Sequence, residues 1–149
     1  MRTIKFRGKS CNTGEWFYGN LYIADSFGST YIHKSMDSFL EVYSETIGQF
    51  TSLYDCNGKE IYEGDILDFN GVTVEVRFVR GVFVFLVNGN LDERLCGRTD
   101  LFAKIIGNIH ENPDILKENE RLNKISNKTV GFIILILYII AMTIFTIMR

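Results

Sequence analysis

The stretch YDCNGKEIYEGDILDF, residues 54–69, decides how the fold of this 149-residue chain is interpreted. It holds five carboxylates, two glycines and one thiol in sixteen positions. Asn57 and Gly58 are a two-residue turn signal of the kind that joins paired strands. Glu63, Gly64 and Asp65 are a second turn signal, in which glycine adopts positive φ and aspartate bonds the neighbouring backbone. The apolar residues that follow predict a strand, so the stretch indicates turns between short strands.

The same acidic residues raise the question of catalysis. A hydrolase using Glu63 and Asp65 would need a second element, such as a histidine base, a nucleophile or metal ligands at fixed offsets. No such element accompanies them in the sequence, so we expect no catalytic residues and a non-enzymatic protein. The residues assigned to structural turns are Asp55, Asn57, Gly58, Glu63, Gly64 and Asp65.

Further strand patterns follow this stretch. Apolar and polar residues alternate over 72–78, a period of two that is typical of a half-buried strand. Arg80-Gly81 predicts a tight turn before the apolar strand VFVFLV, and Asn88-Gly89 predicts a turn that demands positive φ. LDERLCGRTD, from residue 91, is expected to be a loop, and LFAKIIGNI a last strand. Short strands at close spacing favour a mainly β domain, a small antiparallel barrel rather than a parallel sheet.

The first 23 residues predict an N-terminal β-hairpin. RTIKFRGK alternates polar and apolar residues, SCNTG supplies turn residues, and EWFYGNLYI returns as an aromatic-rich strand. The basic face of the first strand is expected to be a solvated row or a contact for phosphates or an acidic partner. The candidate binding surface consists of Lys5, Arg7, Lys9, Trp16 and Tyr18.

The cysteines and histidines give no metal signature. Cys11, Cys56 and Cys96 are isolated in sequence, and His33 lies far from His110. This spacing matches neither a disulfide framework nor a zinc site. We therefore expect reduced thiols, no metal and no cofactor.

Charge is divided sharply along the chain. Residues 1–128 carry 15 of the 16 Lys and Arg residues and all 18 Asp and Glu residues, an acidic excess of three. Nucleic-acid binding needs a concentration of basic residues, so this balance does not favour it. Residues 129–148, in contrast, carry no charge.

The chain after Asn112 predicts a long helix in two parts. Asn112 can cap a helix, Pro113 suits its first position and Asp114 complements its dipole. Residues 113–128 predict a polar stalk that runs directly into an apolar segment, and this segment, 129–149, predicts a transmembrane tail anchor. About 20 residues span about 30 Å as a helix, which matches a bilayer core.

The basic residues around this segment predict its orientation. Lys117, Arg121, Lys124 and Lys128 precede the uncharged residues 129–148, and Arg149 follows them. Because basic flanks stay in the cytoplasm, we expect residues 1–128 to form a cytoplasmic head in a bacterial host. The short remainder after the span predicts insertion after synthesis, and the few apolar stalk residues are available for pairing with a second copy.

Several motifs together resemble the YopX family of phage and prophage proteins. They are MRTIKFRGK, ETIGQFTSL, LYDCNGKEIYEGDIL and IIGNIHENPDIL, which together cover residues 1 to about 116. The resemblance implies a small β-rich domain with a barrel of the Src-homology-3 type and no established catalytic residues. His110 departs from the aromatic residue expected at its position, and the membrane span is an addition to the usual soluble domain. The expected organisation is a YopX-like β domain over 1–112, the stalk and the anchor.

Three functions follow from these patterns. The first is a membrane-tethered phage accessory protein whose β domain binds a host or phage protein or another copy of itself. The second is a nucleic-acid-binding small barrel that uses the basic and aromatic candidate surface. The third is a hydrolase based on the acidic cluster, which the sequence supports least.

Overall fold

The computed structural model describes residues 3–24, 28–34, 38–91 and 99–147. The chain divides into two compact units, Met1–Pro113 and Asp114–Arg149. The first unit is mainly β and the second is helical, and each is described by itself.

The first unit contains two antiparallel sheets. The first sheet has six strands in the order β4-β3-β2-β1-β5-β6. Its strands are β1 (Phe6–Lys9), β2 (Trp16–Ile23), β3 (Thr30–His33), β4 (Phe39–Val42), β5 (Gly48–Tyr54) and β6 (Glu60–Tyr62). A 3₁₀ helix, Ser44–Thr46, lies between β4 and β5.

The second sheet has five strands in the order β10-β9-β8-β7-β11. Its strands are β7 (Asp65–Phe69), β8 (Val72–Val79), β9 (Val82–Val87), β10 (Asn90–Leu91) and β11 (Ala103–Asn108). A four-residue helix, α1 (Thr99–Phe102), precedes β11, and most of the expected loop before it lies outside the described residues.

The N-terminal hairpin is confirmed, because β1 and β2 pair antiparallel with Arg7 opposite Tyr18 and Lys9 opposite Trp16. The turn after β9 is also confirmed, since Asn88 and Gly89 have φ of 51° and 76°. Both residues of this turn have the positive φ that a type I′ hairpin requires.

A hydrophobic core joins the two sheets. Its buried residues include Ile61 from β6 and Leu67 from β7, and Leu53 of β5 packs against them. The other buried members are Val74, Val76, Phe85 and Ala103. The short strands on either side of the acidic stretch therefore supply both halves of the core.

The first sheet is curled at one end. Val42 of β4 forms an isolated bridge with Ser10, just beyond β1. Gly19 permits this curvature, because a Cβ atom there would lie 2.2 Å from the carbonyl oxygen of His33. The two sheets are nevertheless not closed, so the architecture is two open antiparallel sheets, and a Src-homology-3 barrel stays an expectation.

The second unit consists of helix α2, which extends over Pro113–Ile147 without interruption. The stalk therefore continues into the apolar segment, as the sequence predicts. The part from Pro113 to Ile140 is long and apolar enough to cross a membrane, and its apolar window has no buried residue. A core helix of a soluble domain would be buried instead, so the exposure indicates membrane association.

Candidate functional site

The first half of the acidic stretch is held by Asp55. Its Oδ1 accepts hydrogen bonds from the backbone N–H groups of Asn57 and Lys59 at 2.8 and 2.9 Å. Its Oδ2 accepts one from the N–H of Ile105 in β11, at 3.2 Å. Burial raises the pKa of Asp55, but these N–H donors outweigh it and hold the pKa below the ordinary value. The carboxylate thus fixes the turn to the second sheet.

The second half of the stretch is a buried turn. Gly64 has φ of +81°, as expected for a glycine turn, and its N–H donates to the carbonyl of Val76 at 2.8 Å. Asp65 Oδ2 accepts the backbone N–H of Tyr62 at 2.8 Å, so it does bond its neighbouring backbone.

Asp65 also makes an ion pair that the sequence did not predict. Nη1 of Arg7 lies 2.6 Å from Asp65 Oδ1, and both side chains are buried, at 8% and 2% exposure. Arg7 Nη2 donates to the carbonyl of Glu63 at 3.2 Å. The pair therefore ties β1 of the first sheet to the turn that begins the second sheet.

The expectation of a solvated basic row on β1 is wrong for Arg7. Its guanidinium carbon lies 4.6 Å from the Trp16 ring centroid and 5.2 Å from that of Tyr62. These aromatic rings and Asp65 take Arg7 out of solvent, because a planar guanidinium packs on aromatic faces while it pairs with a carboxylate.

The two lysines of the candidate surface are also paired. Lys5 bonds Glu60, and Lys9 Nζ lies 3.1 Å from Glu111 Oε1. The structure therefore brings all five residues of the candidate surface together on one face of the hairpin, since Lys5, Arg7 and Lys9 alternate in register with Trp16 and Tyr18. Each of its three cations has a carboxylate partner.

Two cavities open beside Arg7, with volumes of about 250 and 320 Å³. They share Arg7, Tyr18 and Lys59, and we call the pair the Arg7 cleft. Tyr62 and Glu60 border one cavity, while Trp16, Asp65, Asn108, Glu111 and Asn112 are among the residues that border the other. Lys59 and Tyr62 had no signal in the sequence as members of a site.

The protonation states in the cleft follow from its burial. Burial raises the pKa of Tyr18, and burial together with the hydrogen bond to Glu60 raises the pKa of Tyr62. Burial also raises the pKa of Asp65, with Arg7 opposing that shift. Burial and the nearby Arg7 charge lower the pKa of His110. At neutral pH the cleft therefore presents protonated phenols, and the imidazole of His110 lies outside it, with its ring 6.0 Å from that of Trp16.

A second feature lies on the same face of the first sheet. We call it the aromatic band, and it consists of Tyr22, Tyr31, His33 and Phe39. Tyr22 lies opposite Tyr31, and His33 lies opposite Phe39. The rings of Tyr22 and Phe39 are 6.0 Å apart, those of His33 and Phe39 are stacked at 4.9 Å, and Tyr22 and Phe39 are about half exposed.

The aromatic band could have been found in part from the sequence. The alternation in WFYGNLYI assigns Tyr18 and Tyr22 to one face of β2, four residues apart. Tyr31, His33 and Phe39 join the band only because β3 and β4 pair next to β2. The sequence between these strands does not predict that pairing. Among the residues that the structure describes, no three His, Cys, Asp or Glu side chains gather as metal ligands.

The fold and the site define a small, mainly β protein with a buried Arg–Asp pair between two sheets, followed by an apolar helix. The family model of the YopX protein matches residues 5–117, and the chain belongs to the YopX family. The structure is similar to that of protein EF1440 from Enterococcus faecalis, with 25% sequence identity and a TM-score of 0.50. This similarity covers 78% of the chain and 99% of EF1440. No curated protein matches the chain.

Proposed function

We propose that this protein is a non-enzymatic, membrane-tethered interaction module of phage or prophage origin. Its β unit binds another protein, and helix α2 keeps that complex at the membrane. The observation that carries the proposal is the aromatic band, a group of neighbouring rings with two half-exposed members on one sheet face.

The composition of the aromatic band supports a protein partner. Exposed aromatic clusters are typical of interaction surfaces, because large rings bury much apolar area at little cost in side-chain entropy. Tyr22 and Phe39 are 51% and 50% exposed, although both are large and apolar. Covering these rings with a partner would remove that area from water.

Nucleic acid is the alternative partner, since Lys5, Arg7, Lys9, Trp16 and Tyr18 do share one face. Phosphate binding releases counterions only if cations are free to contact phosphates. Lys5, Arg7 and Lys9 are each paired with a carboxylate, and Arg7 is buried. The electrostatics of this face therefore favour a protein over a polyanion.

The acidic cluster supports an architectural role rather than hydrolysis. Of the two proposed catalytic residues, Asp65 accepts a backbone N–H and pairs with Arg7, and Glu63 Oε1 accepts the backbone N–H of Phe78 at 3.3 Å. A general acid or base needs a carboxyl that can exchange a proton with substrate. Both carboxyls are instead engaged in holding the fold.

Helix α2 supplies the tether in this proposal. Lys117, Arg121, Lys124 and Lys128 precede the uncharged segment within the range over which basic residues orient a span. The proposed topology leaves the β unit in the cytoplasm of a bacterial host. Restricting the module to the membrane also raises its effective concentration toward membrane-bound partners.

Photo-crosslinking in bacterial cells tests the proposed surface. A photo-reactive amino acid replaces Tyr22 in the full-length chain, and a matched control carries it at Phe78 of β8, which is 46% exposed. We expect a discrete crosslinked protein from position 22, lost when Phe39→Ser is added, and none from position 78.

The mass and composition of the product separate the alternatives. A product with a second protein supports the proposal, whereas a product that contains two copies of this chain assigns the surface to self-association. A product that nuclease removes establishes the nucleic-acid alternative. Equal crosslinking from positions 22 and 78 would refute the aromatic band as the binding surface.

A further inference from the structure

The Arg7 guanidinium has more donors than the described residues satisfy. A guanidinium carries five N–H donors. Two acceptors are present in the described part of the chain, Asp65 Oδ1 and the carbonyl of Glu63. The side chain is only 8% exposed, and its buried Nε atom has no hydrogen-bond partner among the residues that the structure describes. Buried polar groups are generally satisfied, so this side chain indicates a further acceptor.

The neighbouring aromatic rings cannot supply that acceptor. Trp16 and Tyr62 contact the guanidinium through their rings, which offer a π face and no oxygen lone pair in those contacts. The Arg7 cleft opens on the same side chain, because Arg7 borders both of its cavities. A ligand in the cleft therefore lies against the Arg7 side chain, although the buried Nε atom itself has almost no surface open to the cleft.

The charge around the cleft selects the kind of ligand. Three carboxylates border the cleft, and each already has a basic partner. The pairs are Glu60 with Lys5, Asp65 with Arg7 and Glu111 with Lys9. Lys59 borders both cavities and forms no ion pair with any residue that the structure describes. One uncompensated positive charge suits a monoanion better than a phosphate dianion.

The remaining groups of the cleft suit an oxygen acceptor next to an apolar group. The Tyr18 hydroxyl is a protonated donor, and the Tyr18 and Tyr62 rings pack edge to face at 5.5 Å. Ammonium, phenol and guanidinium N–H and O–H groups all donate to a carboxylate, and charge-assisted bonds of this kind are the strong ones.

We propose that the Arg7 cleft binds a carboxylate group of the partner protein, either an acidic side chain or a chain terminus. Lys59 and Tyr18 hold its oxygens, with the Arg7 edge beneath them, and the aromatic rings contact the adjoining apolar atoms. This inference rests on the proposed function in that it assigns the carboxylate to the protein that the aromatic band binds. Tyr18 and Tyr22 lie on the same face of β2, about 13 Å apart along the strand, so one partner segment can reach both.

Titration of the full-length chain in nonionic detergent tests the cleft directly. The chain has one tryptophan, and Trp16 borders the cleft, so its fluorescence and indole N–H resonance report on binding. The probe is phenylacetate, and the neutral control is phenylacetamide. We expect saturable changes at Trp16 with phenylacetate and none with phenylacetamide.

Two exposed lysines provide the matched variants. Lys59→Met should weaken phenylacetate binding about tenfold, because it removes one charge-assisted bond. Lys104→Met, at an exposed position of β11 outside the cleft, should leave it unchanged. Tyr18→Phe should also weaken binding, and both cleft variants retain the Arg7–Asp65 pair that the fold needs.

Blocked peptides identify the source of the carboxylate. A peptide with a free C-terminus and no acidic side chain is compared with an amidated peptide that carries one glutamate. Binding of the first peptide alone assigns the carboxylate to a chain terminus, and binding of the second alone assigns it to an acidic side chain. Equal responses to phenylacetate and phenylacetamide, or an unchanged affinity in Lys59→Met, would overturn the proposal. If phenylacetate does not bind but position 22 still crosslinks to a partner, the carboxylate site is refuted and the proposed function stands. If phenylacetate binds but position 22 gives no crosslink, the aromatic band is refuted as the partner surface and the carboxylate site stands.

Discussion

At the scale of single residues, Gly64 and Asp55 show why the acidic stretch has its composition. Gly64 lies in the left-handed region at φ +81°, which other residues reach only with strain. Asp55 exposes its carboxylate to three backbone donors rather than to solvent. Both residues are explained by the backbone they support.

Replacement of Gly64 by valine tests the turn. A β-branched residue at this φ should cost about 1–3 kcal/mol, and the added atoms would also approach Ile109, 3.4 Å from the position of a Cβ. Thermal unfolding of the full chain in detergent measures the effect. Gly131→Val is the control, since Gly131 has open space around it, and equal melting temperatures for the two variants would show that the turn assignment is wrong.

The pH dependence of stability tests the role of Asp55. Its folded-state pKa lies below the ordinary value of 3.8, so the charged form is favoured by folding. The stability it contributes is present above that ordinary value and is lost as pH falls through the lowered pKa. Asp55→Asn should reduce stability at neutral pH and flatten its decline toward about pH 3. Chemical unfolding measures this, and a decline as steep as that of the parent contradicts the assignment. Asp114→Asn, at an exposed helix position, is the control.

At the scale of elements, one ion pair connects strands that are far apart in sequence. Arg7 belongs to β1 and Asp65 begins β7, so their contact links the two sheets. The hydrophobic core makes the same connection through Ile61 and Leu67. The Arg7–Asp65 pair and the apolar core thus both join the sheets, together with the hydrogen bond from Ile105 to Asp55.

Removing one member of this pair should be more costly than removing both. Asp65→Asn leaves a buried guanidinium without its carboxylate, which should cost about 3–5 kcal/mol. The double variant Arg7→Met with Asp65→Leu should recover part of that loss, because no buried charge is left unpaired. Urea unfolding of Arg7→Met, Asp65→Leu and the double variant closes a double-mutant cycle and gives the coupling energy. Strictly additive losses would contradict a coupled buried pair.

Asp114→Asn is the control for the same experiment. Asp114 pairs with Lys117 at 3.1 Å, but both side chains are exposed, at 88% and 65%. Exposed pairs contribute about 0–1 kcal/mol, so this variant should unfold at nearly the same urea concentration as the parent.

At the scale of the whole molecule, the two units differ in the exposure of their apolar residues. The β unit buries its apolar residues in its own core, whereas none of the apolar window of α2 is buried. A helix of that kind is stable where lipid replaces water around it. This contrast predicts that the two units can be separated.

A fragment of residues 1–112 should therefore fold and stay soluble without α2. Its core residues all belong to the first unit, Met1–Pro113, so no core contact is lost. Size-exclusion chromatography and thermal unfolding of the purified fragment measure this. Aggregation of the fragment, with a folded state only in the full chain, would show that the helix packs on the β unit.

The proposed topology is tested by cysteine labelling. Cys11, Cys56 and Cys96 are replaced by serine, and one new cysteine is placed by Asn119→Cys in the stalk. The basic residues before the span should keep this site in the cytoplasm, so a membrane-impermeant reagent should label it only after lysis. Labelling in intact cells would show that the orientation is opposite to the one proposed. Recovery of the full chain in the soluble fraction would show that α2 is not a membrane anchor.

Features that depend on local chemistry can be predicted from the sequence of this chain. Gly64 at positive φ, the Asn88-Gly89 turn, the N-terminal hairpin and the uninterrupted helix from Pro113 all follow from patterns within a few residues. The family also follows from motifs that can be read along the chain. Such features need no knowledge of distant contacts, because glycine, turn residues and hydrophobic periodicity act on their immediate neighbours.

The tertiary structure alone decided how residues from distant segments combine. Alternation assigned Arg7 to a polar row, but only folding shows it buried between Trp16, Tyr62 and Asp65. Lys59 joins the Arg7 cleft from the turn before β6, and Phe39 joins the aromatic band through strand pairing. Arg7 and Lys59 owe their positions to contacts between residues more than fifty positions apart, and Phe39 owes its position to the pairing of β3 with β4. Neither kind of contact leaves a periodic signal in the sequence.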